Sequence, residues 1–200
     1  MYICSCKIKK QLYEVDAIVV SIASACNLTN YHMDNKLKVS IVAALADDYA
    51  IGYKGKLPWN LPADMKHFKT LTTGGTVVMG KRTFESLPNG PLPNRTNIVL
   101  SSMISEGVSE GYFEANSLED ALELCSNAKE VFVIGGSAVY KQCADIADTM
   151  YLTWVHGKFK ADTYFPEIDF NVWKEVSRTD HPADEKNEYS YSFAVYEKMK

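Results

Sequence analysis

The stretch EVFVIGGSAVYKQCADIA, residues 130–147, decides the fold. Val131 to Ile134 form an unbroken apolar run, the pattern of a strand buried on both faces. Two glycines break the run, and SAVYKQCADIA continues at helical spacing. The same order of strand, glycine and helix occurs upstream, where TVVMG (76–80) leads into KRTFESL (81–87). KVSIVAALA (38–46) reads as another buried strand, TNIVLSS (96–102) as a strand ending in two serines, and SLEDALELC (117–125) as an amphipathic helix opening with Ser117 and Asp120. Strands alternating with helices predict an α/β fold whose largely parallel sheet is covered on both faces. The helix-free tail is different. TMYLTWVHG, WKEVSRTD and YSYSFAVYEK predict long strands, with a turn near His181 to Glu188 and an antiparallel pair closing one edge.

Composition suits one domain. The 200 residues are 46% hydrophobic, enough for an ample core, and the formal charge is −4. The basic residues are scattered, so nucleic acid is not an expected partner, and no apolar run approaches the roughly 18 residues a spanning helix needs. Cys4, Cys6, Cys26, Cys125 and Cys143 are odd in number and lack zinc spacing. Reduced thiols in a cytoplasmic protein are the simplest account. The histidines, His32, His67, His156 and His181, carry no metal spacing, and no metal is expected.

Residues 1–36 read differently. A basic start and the apolar segment Ala17–Ala25 resemble a signal peptide, but Glu14 and Asp16 interrupt the approach. A natural extension, a start codon displaced from Met33 and a weak export signal all stay open. The predicted domain is residues 37–200.

LPWNLPADMKHFKTL (57–71) poses the chemical question. Pro62 suits a helix's first turn, where its missing N–H is no loss. From there Leu61, Asp64, Met65, Phe68 and Leu71 share one face, so a carboxylate sits within the apolar stripe. An acid in a first turn meets unpaired N–H groups and the helix dipole, worth roughly 0.3–1 kcal/mol. Alternatively, Asp64 lines a pocket and faces a ligand, in which case it needs a partner or takes up a proton. The strand ends bear on this choice. Gly80 before Lys81, Arg82 and Thr83, the pair Ser101–Ser102, and Gly135–Gly136 before Ser137 all lie where open parallel sheets bind ligands. Glycine there lets backbone approach a phosphate. GxGxxG is absent, and a glycine pair after a strand is more often a tight turn than a phosphate site; together the three ends suit an extended anion such as a dinucleotide beside an apolar pocket.

In order and spacing, VSIVAALADDYAIG, LPWNLPADMKHFK, VVMGKRTFESLP, LPNRTNIVLSS, VFVIGGSAVY, MYLTWV and ADTYFP resemble dihydrofolate reductase from about Lys38 to the C-terminus. The resemblance implies an eight-stranded, mostly parallel sheet flanked by helices. It also implies NADPH as cofactor, dihydrofolate as substrate, a monomer, and a target for antifolates. In that family a hydride passes to C6 of dihydrofolate while N5 takes a proton. Asp64 matches the acid that anchors the pterin, Thr153 the hydroxyl that supports it, and Trp59 the residue that helps hold a water nearby. Val42, Ala43, Met65, Phe68, Leu87 and Ile134 match the walls around pterin and benzoyl ring. Arg95 matches the partner of the glutamate α-carboxylate, and Tyr140 lies near the nicotinamide.

Ala44, Ile51, Gly52, Gly80, Lys81, Arg82, Thr83, Ser101, Ser102, Gly135, Gly136, Ser137 and Val139 match cofactor positions. IGYKGKLPW (51–59) matches a mobile lid, with Asp162 in the loop supporting it. One departure is Ala138, where several relatives place a basic residue near the cofactor's 2′-phosphate; Lys81 and Arg82 then carry more of the NADPH preference. Two rivals differ at these residues. A pyrimidine reductase of riboflavin synthesis would not need PWNLPAD, and a non-catalytic pterin- or nucleotide-binding module would lack one of Asp64, Trp59 and Thr153. Desolvation is expected to raise the pKa of Asp64.

Overall fold

The first strand, β1 (Lys38–Ala46), is largely buried along its length, as its near-continuous apolar sequence requires. It lies inside the main sheet of a computed structural model that describes residues 37–101 and 111–199. The elements that follow are β2 (Ala50–Gly52), α1 (Pro62–Thr72), β3 (Thr76–Gly80), α2 (Lys81–Glu85), β4 (Thr96–Leu100), β5 (Phe113–Ala115) and α3 (Leu118–Leu124). Then come β6 (Glu130–Val133), α4 (Ser137–Cys143), β7 (Thr149–Val155), β8 (Thr163–Tyr164), β9 (Trp173–His181) and β10 (Tyr191–Lys198). The segment 1–36 and Ser102 lie outside the described residues.

Eight strands form one sheet in the order β5-β4-β3-β6-β1-β7-β10-β9. Pairing is parallel from β5 through to β7 and antiparallel at β10 and β9. This is the expected eight-stranded, mostly parallel sheet with an antiparallel C-terminal edge. The outermost strand β9 is exposed along most of its length and carries Lys174, Glu175, Arg178 and Asp180, charges that discourage edge-to-edge pairing.

Period-two alternation splits the core between the faces. Ile41, Ala43 and Leu45 pack with Leu118 and Ala121 of α3 and Val139, Tyr140 and Cys143 of α4. Val42, Val77, Met79, Val99 and Phe132 form the opposite face, against Phe68 and Leu71 of α1 and Phe84 of α2. At the start of α3, Ser117 Oγ accepts the Asp120 N–H at 3.1 Å, a local cap worth about 1 kcal/mol.

The short strands β2, β5 and β8 were not predicted, because two or three residues give no periodicity to read. β4 ends at Leu100, two residues short of the predicted strand. In α1 the fully buried residues are Asp64 and Thr72, whereas Met65 is 56% exposed and Phe68 and Leu71 are half-buried. The stripe therefore borders an opening and does not sink into the core.

Candidate active site

Asp64 sits in the first turn of α1, 8% exposed. The Thr153 hydroxyl donates to its carboxylate. Burial pushes the Asp64 pKa up and this hydrogen bond partly opposes the rise. Thr153 is itself buried on β7, opposite Ala44 of β1 and Phe193 of β10. The helix is docked by stacking of His67 on Phe193, ring centroids 4.0 Å apart. Trp59, just upstream, packs edge-on against Phe159 at 4.8 Å. Its buried indole N–H has no partner within the described protein. A buried donor left unpaired costs about 1–3 kcal/mol, so this one is suited to a small polar molecule near the acid.

The apolar residues assigned to the substrate divide by face. Val42, Phe68, Leu87 and Ile134 fall in one cluster. Met65, exposed on α1, is outside this cluster, and Ala43 packs on the opposite face of the sheet. Tyr140, fully buried on α4, donates its hydroxyl proton to the Val42 carbonyl at 2.9 Å. Burial raises its pKa strongly, and the charge of nearby Asp64 adds to the rise. The phenol is thus a fixed neutral donor that ties α4 to β1.

Arg95 is half-buried beside the C-terminal end of α1. Its Nη1 donates to Thr72 Oγ1 at 2.9 Å and its Nε to the Pro93 carbonyl at 3.1 Å. The guanidinium lies 5.8 Å from the Phe68 ring centroid. Its Nη2 group makes no hydrogen bond among the described residues.

The carboxyl ends of β4, β3, β6 and β1 stand in a row, where open α/β sheets hold ligands. The Gly80 N–H donates to the Gly135 carbonyl at 2.8 Å, joining the ends of β3 and the β6 turn. A Cβ at Gly80 would come within 3.2 Å of Val139, one at Gly135 within 3.2 Å of the Tyr140 hydroxyl, and one at Gly136 within 3.3 Å of Thr83 Oγ1. Gly135 also has φ of +120°, and the Gly135–Gly136 peptide is cis. Glycine at these positions lets the end of β3 and the turn after β6 pack closely against Val139, Tyr140 and Thr83. Lys81 and Arg82 are exposed directly after Gly80, and Ser101 is buried at the end of β4. Ser137 behaves otherwise than a free donor: its hydroxyl is committed to the Tyr164 carbonyl at 2.6 Å.

The predicted lid carries Ile51 and Gly52 on β2, paired with β8. Tyr53 and Lys56 close a two-residue turn whose central residues Lys54 and Gly55 have φ of +51° and +77°, as a type I′ hairpin requires. Asp162 accepts the Lys54 N–H at 2.8 Å and donates its own N–H to the Gly52 carbonyl. Asp162 therefore holds the turn, and the Lys54 N–H and Thr163 hydroxyl bonds to its carboxylate keep the carboxyl below the usual range.

Thr72, Asn97 and Asn187 were missed. Asn187 Oδ1 accepts the Ala63 N–H at 3.0 Å, replacing the side-chain cap that Leu61 cannot supply. A helix starting at Leu61-Pro62 was itself the signal that a distant residue must cap it.

Glycine-bearing strand ends in a row and a buried carboxylate at a helix start give the layout of an α/β protein that binds ligands at the carboxyl edge of its sheet. A sequence model of the family Dihydrofolate reductase matches residues 38–198. The dihydrofolate reductase of Bacillus subtilis (strain 168) is 42% identical over 160 residues, covering 80% of this chain and 94% of that protein. The type 3 dihydrofolate reductase of Salmonella typhimurium is 41% identical over 162 residues, covering 81% and 99%. A solved structure of dihydrofolate reductase from Enterococcus faecalis, complexed with NADP(H) and RAB-propyl, superposes with a TM-score of 0.75 at 40% identity, covering 82% of this chain and 97% of that one. The chain belongs to the dihydrofolate reductase family of NADPH-dependent oxidoreductases.

Proposed function

We propose that the chain reduces 7,8-dihydrofolate to 5,6,7,8-tetrahydrofolate, with residues 37–200 as the reductase domain and residues 1–36 as an extension outside it. The observation that carries this reading is Asp64, a buried carboxylate hydrogen-bonded by Thr153 within an apolar surround. Bound NADPH supplies the hydride that C6 of dihydrofolate receives, and N5 takes a proton from solvent. Gly80, Gly135 and Gly136 at the strand ends suit that cofactor, because backbone without a Cβ lets a phosphate approach. Lys81 and Arg82 suit the 2′-phosphate, and Thr83, Ser101, Val139 and Ala44 border the remainder. Ser137 offers backbone here, since its hydroxyl serves Tyr164.

Each substrate-side residue has a physical task. Asp64 accepts two hydrogen bonds from the pterin, at N3 and the 2-amino group, and so fixes which face meets the hydride. Thr153 holds the carboxylate in place. Trp59 donates its buried N–H to a water that relays a proton toward N5. Val42, Phe68, Leu87 and Ile134 exclude bulk water along the ring system, Met65 closes the open margin, and Arg95 grips the α-carboxylate. The lid around Ile51 and Gly52 closes over the nicotinamide. Because N5 must be protonated, hydride transfer falls as pH rises past the controlling pKa.

The test is consumption of NADPH by the purified protein on adding dihydrofolate, with tetrahydrofolate identified as product. Binding of NADPH without consumption would favour a binding module, and turnover of a ribosylated aminopyrimidine alone would favour the riboflavin-pathway rival.

A further inference from the structure

We infer that Asn97 is a positioning residue for substrate recognition, acting through Arg95; this rests on Arg95 being the carboxylate clamp. Asn97 lies two residues past Arg95, beside the apolar run Ile98–Leu100 of strand TNIVL, and is 2% exposed. Burying an amide is unfavourable unless its hydrogen bonds are made, and here they go to one loop. Asn97 Oδ1 accepts the Leu92 N–H at 2.9 Å, while Nδ2 donates to the carbonyls of Leu92 at 2.9 Å and of Arg95 at 3.0 Å.

The loop needs this support. Pro91 and Pro93 flank Leu92 and lack N–H groups, so the segment cannot pair with a strand through its own ladder. The single side chain of Asn97 engages both polar backbone groups of Leu92, as a neighbouring strand would. Asn94 adopts φ of +57°, and its carbonyl accepts the Gly74 N–H at 2.8 Å, which turns the chain toward the end of α1. Arg95 therefore has its backbone carbonyl held by Asn97 and its guanidinium by Pro93 and Thr72. Fixing the backbone carbonyl fixes where the guanidinium begins, and a clamp on a carboxylate depends on that position.

The test compares wild type with Asn97→Asp, Asn97→Ala, Arg95→Ala and the double variant Asn97→Ala/Arg95→Ala. Asn97→Asp keeps the oxygen that accepts from Leu92 but turns the donor facing two carbonyls into an acceptor, with little change in volume. Two substrates are used, dihydrofolate and a dihydropterin bearing a methyl group in place of benzoylglutamate. NADPH affinity serves as the measure of folding. Either Asn97 variant is expected to raise the KM for dihydrofolate about tenfold, with kcat changed much less and the KM for the methyl dihydropterin unchanged. In the Arg95→Ala background, adding Asn97→Ala should change neither KM. Equal rises for both substrates, no rise for dihydrofolate, or a full further rise in the double variant would overturn the role of Asn97. If Arg95→Ala alone leaves the KM for dihydrofolate unchanged, the clamp itself is refuted and the inference falls with it. If Asn97→Ala binds no NADPH, Asn97→Asp decides the matter alone, through its contrast between the two substrates.

Discussion

Replacing Thr153 with valine removes one hydroxyl from a buried site and leaves almost the same volume. Thr153 is 3% exposed, so water does not take over its role, and neither Ala44 nor Phe193 opposite it can donate a side-chain hydrogen bond. The lost interaction is a hydrogen bond to a carboxylate, worth about 1.5–3 kcal/mol. At 1.36 kcal/mol per factor of ten, that corresponds to a fall of roughly tenfold to a hundredfold in kcat/KM for dihydrofolate. The pH dependence is the more specific signature. Burial already raises the Asp64 pKa, and the Thr153 bond opposes that rise by favouring the ionised form. Thr153→Val therefore moves the Asp64 pKa further upward. The assay is single-turnover hydride transfer across a pH series, read by loss of NADPH absorbance. The expected result is a reduced rate, with the Asp64-linked inflection moved to higher pH and the gap from wild type narrowing as pH rises past the wild-type inflection. An unmoved profile with kcat/KM within about twofold of wild type would show that the hydrogen bond does not tune the acid.

Three further outcomes are expected. Asp64→Asn should raise the melting temperature of the ligand-free protein near neutral pH. Because the folded-state pKa is raised, the wild type loses stability as pH climbs from the ordinary value of 3.8 through the folded value; the advantage should vanish in acid, and equal melting curves at neutral pH would contradict the burial penalty. Gly135→Ala places a Cβ at φ of +120° and 3.2 Å from the Tyr140 hydroxyl, so it should cost about 1–3 kcal/mol by denaturant unfolding and weaken NADPH binding; unchanged binding would show that this turn does not border the cofactor. Asn187→Ala removes the acceptor for the Ala63 N–H and should destabilise by about 1 kcal/mol, a loss that urea titration would detect.

The parallel sheet was legible because burial on both faces leaves long apolar runs, and because glycine punctuates the step from strand to helix at Gly80 and Gly135. Asp64 was legible as an acid at an apolar position of a helix. What could not be read was the support beneath these residues. The Asn187 bond to Ala63 joins residues 124 positions apart, and nothing local to either residue announces it. Thr72 looked like an ordinary helix end, yet its hydroxyl donates to the Phe68 carbonyl at 2.8 Å and accepts from Arg95. Ser137 follows the glycines, and nothing near it in sequence announces that its hydroxyl bonds the distant Tyr164 carbonyl. Such bonds depend on which loops meet in space. β2 and β8 exist through their pairing with each other, which a window of two or three residues cannot register.

The most direct test of the assignment is hydride transfer to dihydrofolate by wild type and Asp64→Asn side by side, with NADPH affinity and circular dichroism confirming that both are folded. Asparagine keeps the shape of the side chain but pairs poorly with the two pterin donors. The expected result is steady NADPH oxidation by wild type and severe slowing in Asp64→Asn, with NADPH binding intact in both. Equal rates would leave a reductase whose pterin is anchored elsewhere and would contradict the anchoring role of Asp64.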